Sequence, residues 1–297
     1  MLLLLARVNQ NEQETPMTTK KAIGTSFAAI IILVIVQVIA QLIANVCAII
    51  KIPTGICNII GGIIYAGLAY FMLKMFITKI VKLPASDFGM PAFGIKARWI
   101  VTAILLPVIV KGSYLLIFKG EYISSNMTGN QKFNTLSAGI AFTGLAAGFV
   151  EEMVFRGVIL NAIKKRWNIK VAVIVPSLLF GVVHILGQNF SIGSSLLVII
   201  AGTMTGIMFS MIAIESGSVW NSGIVHAVWN IVIIGGGLAV SENVDTYSVM
   251  TYVLDTKAFA ITGGEFGIEA SVISLAGYII VAGIALIMIK SGKKNVV

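Results

Sequence analysis

The sequence predicts an all-α, polytopic membrane protein with about eight transmembrane helices in one bundle. Three observations carry that expectation. Charged residues make up only 11% of the 297 positions, against 58% hydrophobic ones. Long apolar runs recur from end to end. The basic residues sit in short clusters between those runs. A soluble domain carries about 25% charged residues and must still cover its surface with polar groups, so a bilayer is the solvent that tolerates this composition. At roughly 20 residues per span, the length allows about seven to nine spans. The formal net charge of +9 does not point to nucleic acid, because no single basic patch forms. The partners to expect are membrane lipid and a peptide or membrane-protein substrate.

Taken in order, the spans read as 23–50, 56–78, 99–118, 137–162, 171–187, 194–214, 218–240 and 269–289. Residues 1–22 read as a disordered or cytoplasmic extension. Met1 to Ala6 is too short an apolar run for a signal peptide, and Met17 opens MTTKKAIG, which looks like a start before a first span. Lys51-Ile52-Pro53-Thr54-Gly55 is a turn signal between the first two spans. The N-terminal helices occupy 23–134, the core helices 135–240, and 241–268 is an extracytoplasmic loop, net acidic, with room for a short re-entrant or surface piece. The last helix and a basic cytoplasmic tail fill 269–297. Cys47 and Cys57 are expected as free thiols, since cysteine often acts as a small hydrophobe.

With the N-terminus inside, fifteen lysines and arginines fall in inner segments and four in outer ones. Lys111 and Arg156 fall within spans. The asymmetry predicts both termini in the cytoplasm and an even number of spans in the cell membrane. No internal repeat supports a carrier built from inverted halves. The pairs Gly144/Gly148 and Gly202/Gly206 predict close helix packing.

Charges within spans cost several kcal/mol (roughly 2.5–3.5 each at mid-helix), so each needs a reason. Of twelve acidic residues, two lie well inside a span and are adjacent: Glu151 and Glu152, in AGFVEEMVFRGVIL. Arg156 is four residues after Glu152, so those two can pair along one face. Glu151 points about 100° away and is free to look elsewhere. The chain has two histidines, His184 and His226, and both fall inside spans. Asn230 shares a face with His226. Counted from the inner boundary, Glu151, His184 and Asn230 all lie about 20 Å deep. Three helices thus bring polar groups to one level, which suggests one buried site. A glutamate and a histidine can together deprotonate water. A second histidine and an asparagine can donate to a tetrahedral oxyanion. No serine or cysteine stands in an evident nucleophile setting, so water is the economical nucleophile and no cofactor is expected. Rival readings are a purely structural Glu152–Arg156 pair, a zinc site on Glu151, His184 and His226, and a proton-coupled carrier. Against zinc stand the lack of an H-E-x-x-H motif and the adjacent arginine.

Three short patterns carry a resemblance. EEMVFR (151–156) matches EExxxR, FGVVH (180–184) matches FxxxH, and HAVWN (226–230) matches HxxxN. In this order, on successive spans, they resemble the CPBP or Abi family of type II CAAX prenyl endopeptidases and bacterial bacteriocin-processing or self-immunity proteins. The resemblance covers about residues 135–240. It implies a glutamate-dependent intramembrane endopeptidase with eight helices. Glu151 and His184 would activate water, and His226 and Asn230 would form the oxyanion site. Glu152 and Arg156 would support them, with Phe180 packed nearby. The family also holds members that act as non-catalytic regulators or immunity factors, and these are the alternative function.

Overall fold

The computed structural model describes residues 16–294. Eight long helices run through the described residues: α1 (Thr19–Ile49), α2 (Thr54–Met75), α3 (Ala97–Ile117), α4 (Gly129–Lys164), α5 (Ile169–Val183), α6 (Ile192–Ser216), α7 (Val219–Ile233) and α8 (Val272–Lys294). The protein is an all-α bundle of membrane-crossing character. α1, α2, α3, α4, α6 and α8 are each long and apolar enough to span a bilayer. α5 and α7 have 15 residues each. At about 1.5 Å per residue, neither matches a hydrocarbon core of about 30 Å by itself.

α1 shows how the bundle meets lipid. Phe27, Ile31, Val34, Val38, Leu42 and Val46 are exposed, whereas the buried positions Ala22, Thr25, Ala29, Val36, Ala40 and Ala44 are mostly alanine. Small residues at three- and four-residue spacing let backbones approach where no hydrophobic effect drives helices together. The two glycine pairs do the same deeper inside. A Cβ on Gly148 would stand 2.7 Å from the Cα of Ala227, so α4 meets α7 almost backbone to backbone. Gly202 and Gly206 lie equally close to Gly181 and Ser177, which clamps α6 on α5.

The two ends of the bundle differ. At one end, Lys21 donates to the Val81 carbonyl, Arg166 to Thr19, and Lys165 pairs with Asp87 at 3.2 Å. Arg98 pairs with Glu215 at the same end. At the other end the chain forms a small sheet that no local pattern in the chain predicts. β1 (Gly120–Ser124), β2 (Leu238–Ser241) and β3 (Met250–Leu254) lie in the order β1-β3-β2. β1 pairs antiparallel to β3 with Gly120 opposite Leu254, and β2 pairs parallel to β3 with Leu238 opposite Met250. Strands of four or five residues carry too little periodicity to be read from sequence.

Several boundaries move. Of the extension expected over 1–22, Thr19 to Ala22 already form the first turn of α1, whose N-cap Thr18 accepts from Lys21 N–H; residues 1–15 lie outside the described residues. The span expected at 218–240 is helical only to Ile233. Three glycines follow, and Gly236 takes a φ of +76°. The ammonium of Lys111 donates to the carbonyls of Val232 and Leu238, capping the freed end of α7. That gives one of the two in-span cations a structural reason. The helix expected to run to 187 stops at Val183, with His184 as its C-cap. The loop expected at 241–268 holds β3 and short helical turns, and the last span begins at Val272. Cys47 and Cys57 are free, and the Cys57 thiol donates to the Ile52 carbonyl.

Candidate active site

α4 supplies the acids. Between two π-helical stretches, Ala138–Ala147 and Met153–Ile159, a short α-helical piece, Gly148–Glu152, carries both glutamates. Such widened turns inside helices recur at functional sites. Glu152 and Arg156 are wholly buried, and Arg156 Nη1 donates to Glu152 Oε1 at 2.7 Å. The Glu151 side chain keeps 25% exposure, so the adjacent carboxylates have separate environments. The guanidinium is enclosed by rings as well. Its Cζ lies 4.4 Å from the centroid of Phe180, 5.2 Å from that of Phe209 and 5.8 Å from that of Phe155. Cation–π contacts of this kind gain strength when desolvated.

α7 supplies the ligand of both acids. His226 Nδ1 lies 3.2 Å from Glu152 Oε1, and Nε2 lies 3.9 Å from Glu151 Oε2. Its ring stacks on Phe209 at 4.6 Å. A turn later, Asn230 donates from its side-chain amide to the Thr143 carbonyl at 3.0 Å. That amide nitrogen has a second N–H to give.

α5 delivers His184 as it ends. Nδ1 is 2.6 Å from the Phe180 carbonyl one turn earlier. A carbonyl only accepts, so Nδ1 carries the proton and Nε2 is left as the acceptor. Phe180 joins the set: its ring is 4.6 Å from His184, 5.8 Å from His226 and under the arginine. The structure therefore brings Glu151, Glu152, Arg156, Phe180 and His226 into one cluster, with His184 across the Phe180 ring and Asn230 along the same face of α7. Among the described residues, no hydrogen bond links His184 to either glutamate.

Other groups were not singled out in the sequence. Phe155 lies inside EEMVFR and could have been suspected. Phe209 is one apolar residue in an apolar span, with no signal at all. Thr143 contributes only its backbone. Glu269, in the turn before α8, accepts from Trp229 Nε1 at 3.4 Å. Burial pushes its carboxyl up to about 7, opposed by the Trp229 hydrogen bond and by nearby His226. No three histidine, cysteine, aspartate or glutamate side chains among the described residues stand in an arrangement that could hold a metal ion.

The bundle is that of a multi-pass membrane protein with a polar glutamate–histidine cluster buried in its core. Residues 133–232 match the family model of type II CAAX prenyl endopeptidase Rce1-like proteins, about a third of the chain, and all three motifs fall inside the matched segment. The resemblance drawn from those motifs is thereby borne out. Over that segment the chain is similar to the CAAX-type proteases that the family model describes. No curated protein and no solved structure matches the chain.

Proposed function

We propose that this protein hydrolyses peptide bonds within the membrane, using a water activated by Glu151 and His184. The observation that carries this reading is the division of labour between the two histidines. His184 has its Nδ1–H committed to the Phe180 carbonyl, so Nε2 can accept a hydrogen bond from the water and orient it for Glu151. His226 has carboxylate oxygens near both ring nitrogens. Carboxylates accept, so this setting suits a ring that donates from both sides. Its Nε2–H and the spare N–H of Asn230 would then receive the oxyanion of the tetrahedral intermediate. Arg156 keeps Glu152 an acceptor, and Glu152 fixes the His226 ring. Glu151, partly open, takes the water's proton and returns it to the leaving amine. The route needs no metal.

The basic asymmetry supports an orientation with both termini in the cytoplasm and the sheet outside. Asn126→Cys should be labelled by an impermeant thiol reagent on intact cells, and Lys79→Cys should not. Reversal of that pattern would invert the orientation.

The direct test compares small peptides and cleaved membrane proteins in membranes carrying wild type or Glu151→Gln. A substrate should accumulate uncut with the variant. Cleavage by purified protein should survive exhaustive chelation. If membranes carrying the variant are indistinguishable from wild type, the regulator or self-immunity reading replaces the protease one. If chelation abolishes cleavage and zinc restores it, Glu151, His184 and His226 become ligands.

A further inference from the structure

Between the sheet and the turns before α8 lies a cavity of about 530 Å³. Its volume is in the range of ligand sites, about 300–1,000 Å³. Four of the chain's twelve acidic residues line it: Glu242, Asp245, Glu265 and Glu269. None of the four pairs with a lysine or arginine among the described residues. Neutral donors hold three of them in place. The Ser191 N–H donates to Glu265, Ser248 Oγ and the Tyr247 N–H donate to Asp245, and Trp229 donates to Glu269. The Ser191 N–H, with the Ser194 hydroxyl, also keeps the Glu265 carboxyl below its ordinary range. Three of the four carboxyls are thus held in position and none has a cationic partner among the described residues; Glu269, pushed up to about 7, would ionise as a cation arrives. A second observation points to an occupant. Thr262, only 2% exposed, lines the same cavity, and its hydroxyl has no partner in the protein.

The cavity adjoins the site. Phe266 lines it and meets the His184 ring edge-on at 6.2 Å. Glu269 reaches from it to Trp229, the neighbour of Asn230 on α7. We propose that this acidic cavity is a substrate subsite, which takes lysine or arginine side chains of the peptide flank emerging at the sheet end of the bundle. The assignment rests on the protease reading above. A small dication is the poorer occupant, because no three of these acids converge as ligands, whereas cationic side chains spaced along a peptide can meet carboxylates spread around a wall. Low-dielectric walls concentrate the field of the four acids and would draw such a segment in.

The test uses the full-length protein in phosphatidylcholine nanodiscs and fluorescein-labelled tetralysine, tetraserine and tetraglutamate, followed by anisotropy. Tetralysine should bind, the other two should not, and Glu242→Gln with Glu269→Gln should weaken tetralysine binding about fivefold or more. Because Glu269 bonds Trp229, Glu242→Lys alone serves as the variant least able to disturb folding, and it should weaken binding too. Equal binding of tetraserine, unchanged binding by both variants, or displacement by micromolar calcium would overturn the subsite. Failure of the two readings is separable. If peptides that accumulate with Glu151→Gln lack basic residues on the outer flank, the subsite falls and the protease stands. If tetralysine binds as expected and no peptide accumulates, the protease reading falls and the acidic site stands.

Discussion

Along α1, Phe27, Ile31, Val38 and Leu42 face outward and alanines face the protein. Along α7 the arrangement reverses: Trp220, Asn221, Ser222, His226, Trp229 and Asn230 are all buried. α1 has 31 residues and α7 has 15. The long helix is solvated by lipid and needs only small residues at its contact. The short one is solvated by protein, so it can carry an imidazole and amides that lipid would penalise. Polarity at membrane depth is tolerated where neighbouring helices provide partners. Here those partners are Glu152, Glu151 and the Thr143 carbonyl.

The largest effect should come from removing the polar groups of α7. His226→Ala or Asn230→Ala should each cut cleavage by about 10²–10³ with the helical circular dichroism unchanged, as for loss of an oxyanion donor. An equal loss from Leu42→Ala on α1 would erase the comparison. The next effect should be on stability. Arg156→Ala leaves Glu152 charged and buried among rings, and should cost about 3–5 kcal/mol in thermal unfolding of the detergent-solubilised protein. Glu152→Ala combined with Arg156→Ala should recover part of that loss; a double variant less stable than both singles would break the pairing. Smaller again is the contact that brings α4 to α7. Gly148→Val forces the backbones apart and should cost about 1–3 kcal/mol. Leu42→Ala, whose partner is lipid, should stay within about 0.5 kcal/mol. Similar costs at the two positions would mean that α1 packs as tightly as α7.

Composition, apolar run length and the placement of lysine and arginine made the bundle legible in the sequence, because a bilayer imposes length and charge rules on each segment separately. The i, i+4 spacing of Glu152 and Arg156, and the shared face of His226 and Asn230, were legible for the same reason, since helix geometry fixes them locally. The contacts between helices were not. That His226 sits against both glutamates, that Phe209 covers Arg156, and that the ends of α5 and α7 fall short of their apolar runs depend on residues far apart in the chain. The sheet depended on pairing Gly120–Ser124 with Met250–Leu254 across some 130 residues, and the acidic cavity exists only once that pairing is made. Local periodicity determines what a segment can become; which side chains meet is decided when the segments pack.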